Sequence, residues 1–223
     1  MIRKFLPAAL ALLLVAGAAY WWVSSESTAL PDLAAQAQAT DAVDGEVELV
    51  ADMTRGSPDA PVTMIEYSSL TCPHCATFHR NMLPRIIETY VDTGKVHYIT
   101  REVFFDRYGL WAAMLARCGN EDRFHPMLDM IFDTQAEWAG ARDAAQVAEN
   151  LRRLGRRSGL SNDEVEACLQ DNDKALAMIA TYQHHAARDG IDSTPSFVID
   201  GQRFPNFRTF EEFAAVIDAA LEQ

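Results

Sequence analysis

The sequence predicts an α/β protein whose mixed sheet, flanked by helices, is interrupted by an inserted all-helical domain. Two strand-like segments, 62–68 and 95–105, bracket a helical stretch. Residues 107–189 are then helical in pattern throughout, and two short strand-like runs with a closing helix follow at 196–221. No internal repeat of about 20–50 residues competes with this order.

The elements follow from the N-terminus. Residues 1–23, MIRKFLPAALALLLVAGAAYWWV, combine a basic start, an apolar run and the small residues Ala16-Gly17-Ala18, as a signal peptide does. The 19-residue run from Phe5 to Val23, ending in Tyr20-Trp21-Trp22, is also long enough for an uncleaved membrane anchor. Both readings place the remainder outside the cytosol. Residues 24–45, rich in Ala, Ser, Gln and Asp, read as a linker.

The folded part divides into 46–106, the inserted helical domain 107–189, and 190–223. EVELV at 46–50 alternates as an edge strand does, and RGSPDAP at 55–61 is a turn. VTMIEYS at 62–68 is a buried strand leading into TCPHC. Beyond Cys72, Phe78, Met82, Leu83, Ile86, Ile87 and Tyr90 recur at helix spacing until Gly94, and KVHYITREVFF forms the second strand. Leu110, Met114 and Leu115 share a stripe in the insertion. Ser161 with Glu164 and Thr209 with Glu212 are capping boxes, and SFVIDGQRF makes two strands around a glycine turn.

The net charge is −13, and without Arg3 and Lys4 the chain holds 17 basic against 32 acidic groups, or −15. That balance argues against nucleic acid or an anionic membrane surface as partner, since both need a basic footprint. Export makes cysteines prone to pairing. Of the three pairings open to Cys72, Cys75, Cys118 and Cys168, the spacing favours the close pair together and the distant pair together.

Cys72 and Cys75 stand where a strand meets a helix. Free N–H groups and the helix dipole there favour an anion, so Cys72 should be an acidic thiol, and His74 between the cysteines strengthens the effect. A stabilised thiolate leaves easily, which makes the disulfide an oxidant. Cys75, one turn deeper, is the resolving partner. A zinc site would need a second ligand pair of matching spacing, and Cys118 and Cys168 stand singly; a purely structural 72–75 bridge would close a tiny loop.

TCPHC, together with GIDSTPSFVIDG at 190–201 and EVFF followed by a helical insertion, resembles the DsbA family of periplasmic thiol:disulfide oxidoreductases. The resemblance runs from about Val47 to Leu221 and implies a thioredoxin fold split by the insertion. It implies that Thr194-Pro195 is a cis peptide facing the C-x-x-C and pairing with the substrate backbone; composition alone favours a trans proline. It also makes Glu66, on the face of Val62 and Met64, the buried acid of raised pKa that exchanges a proton with Cys75. The bland alternative is an exposed strand glutamate. A Cys118–Cys168 disulfide resembles that of a subset of the family and reads as a structural staple, with a redox-modulating role the minority reading.

The expected function is a dithiol oxidase that passes the Cys72–Cys75 disulfide to reduced exported proteins through a mixed disulfide. Reoxidation by a DsbB-type, quinone-linked membrane partner is implied by resemblance. No bound cofactor or metal is needed, and a monomer in the periplasm, soluble or anchored, is expected. The alternatives are a disulfide isomerase or reductase, and a non-catalytic binding or holdase module.

Overall fold

A computed structural model describes residues 48–205 and 207–223. The leader at 1–23, the linker at 24–45 and the first two residues of the expected 46–50 strand lie outside the described residues. Among the described residues no helix is long and apolar enough to cross a membrane.

The sheet is built from β1 (Met53–Arg55), β2 (Val62–Ser68), β3 (Val96–Glu102), β4 (Ser196–Ile199) and β5 (Gln202–Phe204), in the order β1-β3-β2-β4-β5. β2 and β3 run parallel, joined through a helical crossover, and the other pairs are antiparallel. The edge strand is therefore Met53–Arg55 and not 46–50: residues 48–50 carry no strand. Backbone pairing with β3 selected a three-residue segment that the alternation of EVELV did not mark.

Side chains alternate across β2, so each face has its own core. Val62 and Met64 join Phe78, Leu83, Ile86, Phe197, Phe213 and Ile217 on one face. Ile65 and Tyr67 point the other way, toward Val103, Val198 and Tyr182. Glu66 shares the face of Val62 and Met64 and is fully buried.

The crossover contains α1 (Pro73–Asn81), α2 (Leu83–Ile86) and a π turn at Ile87–Val91. The single helix expected there is broken at Met82, because Pro84 has no N–H to donate and its ring crowds the preceding turn. The closing Gly94 has φ +74°, a left-handed conformation that suits glycine.

The insertion comprises α3 (Arg107–Ala116), α4 (Glu121–Asp133), α5 (Gln135–Ala139), α6 (Ala144–Arg157), α7 (Asn162–Leu169) and α8 (Asn172–Asp189). Every residue of α3 from Gly109 to Ala116 is buried, so the burial extends beyond the stripe of Leu110, Met114 and Leu115 and makes α3 a central helix. A Cβ at Gly155 would stand 2.7 Å from Val165 and 3.0 Å from Leu115, so glycine lets α6 close against α7 and α3. Cys118 and Cys168 form a disulfide across 50 residues, tying the exit of α3 to α7.

Buried Arg117 clamps Glu102 at the end of β3 with two hydrogen bonds, at 2.5 and 2.7 Å, fastening insertion to sheet. The chain closes with α9 (Phe210–Leu221). The Ser161–Glu164 capping box is complete. At α9 only half of one forms: Thr209 accepts from the Glu212 N–H, while Glu212 accepts from the N–H of Arg208.

Candidate active site

β2 delivers the chain to a tight turn at Leu70–Cys72, and Cys72 caps α1 in extended conformation, φ −81° and ψ 118°. Pro73 occupies the first helical position and has no N–H to give. The next two backbone N–H groups, those of His74 and Cys75, are free to serve the Cys72 sulfur.

Cys72 is half-buried and its pKa is lowered to about 5. The Cys75 thiol donates the dominant hydrogen bond, which outweighs the cost of burial; the Thr194 side chain and the N–H groups of Cys75 and His74 add to it. His74 itself is exposed, so within the fold it serves Cys72 through its backbone.

Cys75 is fully buried, one turn inward, and the two cysteines are not joined to each other here. Burial pushes its thiol far up, and its hydrogen bond to Cys72 and the charge of Glu66 push in the same direction. One sulfur is thus ionised at neutral pH and its neighbour is held protonated.

The loop before β4 faces this pair. Thr194–Pro195 is a cis peptide, as the family resemblance implied, and the Cys72 sulfur lies 3.5 Å from the Thr194 carbonyl oxygen. Pro195 is buried immediately before β4.

The insertion holds the turn from two sides. Gln135, first residue of α5, donates its amide to the carbonyl oxygens of Leu70 at 2.8 Å and Cys72 at 3.0 Å. Asp106 caps α3 by accepting from the Gly109 N–H and also accepts from the Thr71 hydroxyl at 2.6 Å.

Behind the cysteines, Glu66 accepts from the Tyr98 hydroxyl, and its oxygens lie 3.0 and 3.1 Å from His79 Nε2. Burial disfavours the His79 imidazolium, yet Glu66 and Asp129 overcome that and raise its pKa to about 9. Burial and then Glu66 push the Tyr98 phenol well above its ordinary value.

The structure therefore brings Cys72, Cys75, Thr194, Pro195 and Glu66 together, with Cys118–Cys168 remote in the insertion. Sequence reasoning missed His79, Tyr98, Gln135 and Asp106. His79 lies four residues after Cys75 on one helix face, a readable signal. Asp106 before a helical run reads as an N-cap. Gln135 gave no signal.

A family model described as thioredoxin matches residues 48–219. A putative protein-disulfide oxidoreductase of Rickettsia bellii is 32% identical over 173 residues, 77% of this chain and 65% of that protein, so the chain spans less than two thirds of its length. Disulfide bond formation protein D of Bacillus subtilis is 24% identical, with 83% of this chain and 84% of that one matched. Among solved structures, alpha-DsbA1 of Wolbachia pipientis superposes with a TM-score of 0.72 at 31% identity, covering 79% of this chain and 94% of that chain. BdbD of Bacillus subtilis superposes at 0.68 and 21% identity, a likeness of fold, over 82% and 100%.

Proposed function

We propose that this chain, which belongs to the DsbA family of thioredoxin-like proteins, is a thiol:disulfide oxidase that donates the Cys72–Cys75 disulfide to reduced exported proteins. The observation that carries the reading is the split between the two sulfurs: Cys72 accessible and lowered to about 5, Cys75 buried and pushed up. A disulfide whose exposed sulfur becomes a stable thiolate is readily reduced, and so oxidises its substrate.

In the forward reaction a substrate thiolate attacks Cys72 Sγ. The Cys72–Cys75 bond breaks, its electron pair goes to Cys75, and that buried thiolate takes up a proton passed through the Glu66 carboxylate. A second substrate thiolate attacks the substrate sulfur of the mixed disulfide and expels Cys72 as its thiolate. The substrate loses two electrons and the enzyme gains them. Thr194 and Pro195 align the substrate backbone, and the His74 N–H helps hold the Cys72 thiolate as it leaves. The Cys118–Cys168 bridge is a staple with no part in the exchange.

A DsbB-type, quinone-linked membrane protein would take the electrons back, with the enzyme acting as a monomer in the periplasm. The test is the equilibrium of the Cys72–Cys75 pair with glutathione in a chain whose Cys118 and Cys168 are replaced by Ala. A potential well above that of thioredoxin, about −270 mV, is expected; a value near it would assign a reductase instead.

A further inference from the structure

Cys75 is fully buried, so when it gains or loses a proton that proton must cross protein. If Glu66 exchanges it, as proposed above, Glu66 must in turn be recharged, and it too is buried. The route open at Cys72 is covered whenever a substrate chain occupies the Thr194–Pro195 wall. A second way out is needed while the mixed disulfide stands.

The structure offers one on the far side of Glu66. His79 Nε2 lies within hydrogen-bond reach of both Glu66 oxygens, and the ring is 2% exposed. Its other nitrogen, Nδ1, is buried and has no hydrogen-bond partner among the described residues. It points at Asp129 Oδ1, 3.7 Å away, a gap that one bridging water or a small rotation closes.

Asp129 is 47% exposed and is held by Arg55 Nη2 at 3.1 Å. It stands on the wall of an open cavity of about 480 Å³ lined also by Arg55, His79, Arg80, Leu83 and Asp133. None of Cys72, His74, Thr194 or Pro195 lines that cavity. Phe132 packs against the imidazole, ring centres 4.1 Å apart, and fixes its plane.

We propose that His79 and Asp129 relay protons between Glu66 and this cavity, which serves as the proton port of the buried dithiol. Nδ1, loaded from solvent at Asp129, makes the ring an imidazolium with a proton on each nitrogen. When Cys75 leaves as a thiolate, Nε2 passes its own proton through the Glu66 carboxylate to the sulfur. That leaves Glu66 ionised and His79 neutral with its proton on Nδ1. Reoxidation runs the same chain backwards: Cys75 releases a proton to Glu66, Nε2 accepts it, and Nδ1 discharges to Asp129 and the cavity. The charged and titratable groups facing the imidazole are Glu66 from β2, Asp129 from α4 and, beside them, Tyr98, Arg55 and His125.

The test uses single-turnover oxidation of the reduced chain by oxidised glutathione, with acid quench separating formation of the Cys72–glutathione mixed disulfide from its closure by Cys75. In weak buffer, Asp129→Asn should slow closure roughly tenfold, within the range of general acid–base effects. Formation of the mixed disulfide and the glutathione equilibrium should be unmoved. Millimolar imidazole or formate, small enough to enter the cavity, should restore the rate, which a purely structural role of Asp129 would not allow. His79→Gln should show the same slow closure; if it does not fold, Asp129→Asn and Asp129→Ala decide.

Closure at the parental rate in the Asp129 variants, or slow closure indifferent to added buffer, overturns the relay. Glu66→Gln separates the two readings. If it slows closure while the Asp129 variants do not, the port is wrong and the role of Glu66 stands. If it leaves closure unchanged, both fall.

Discussion

The side-chain amide of Gln135 donates to the carbonyl oxygen of Cys72 at 3.0 Å, so a residue of the helical insertion fixes the backbone of the reactive thiol. The same amide holds Leu70 O. Gln135→Leu keeps the buried volume but leaves both carbonyls without this donor. A cost of about 1–3 kcal/mol is expected for stranding buried acceptors, readable as a lower urea midpoint at unchanged slope. The mixed-disulfide rate at Cys72 should also fall, because the helix N-terminus no longer holds its register on the sulfur. A variant of unchanged midpoint would show that water replaces the amide.

The pH dependence follows from Cys72. Its pKa in the folded reduced protein is about 5, against about 8.5 for an ordinary cysteine. A depressed acid stabilises the folded reduced form fully above the unfolded value, progressively less between about 8.5 and 5, and not at all below. The reduced protein should therefore gain melting temperature relative to the oxidised one as pH rises through that window. Ultraviolet thiolate absorbance should titrate near pH 5 and vanish in Cys72→Ser. A melting gap that stays flat across the window would exclude the thiolate as its source.

How far these residues were readable in the sequence depends on the range of the contacts that place them. β2 was expected at 62–68 and is found there, because its apolar run and the turn before it are local signals. The acidity of Cys72 follows from strand-to-helix position, also local. The edge strand moved from 46–50 to Met53–Arg55 because an edge is chosen by its partner, here β3, which alternation cannot name. His79 was visible at helix spacing from Cys75, but its pairing with Glu66 required α1 to lie over β2. Gln135 reaches Cys72 across 63 residues, and no pattern along the chain encodes that reach.

The Cys118–Cys168 bridge closes a 50-residue loop, worth about 4 kcal/mol in the chain-entropy account. Replacing both cysteines by Ala should lower the denaturant midpoint accordingly. The Cys72–Cys75 equilibrium with glutathione should not move, since the bridge lies in α7 and the exit of α3. A shift in that equilibrium would give the bridge a redox-modulating role instead of a structural one.

The buried Arg117–Glu102 pair invites a double-mutant cycle. Arg117 also donates to the Ala51 carbonyl at 3.0 Å, so it links β3, the segment before β1 and the insertion. Arg117→Met strands the Glu102 carboxylate in a dry site, and breaking such a pair costs about 3–5 kcal/mol. Glu102→Gln alone leaves a cation that can still donate to the amide oxygen and to Ala51, so its penalty should be smaller. The double variant should recover part of the Arg117→Met loss, because the unpaired charge is gone and only packing and the Ala51 contact are missing. Unfolding free energies of the four proteins check this: a double variant less stable than Arg117→Met would mean that the pair's geometry, and not the stranded charge, sets the cost.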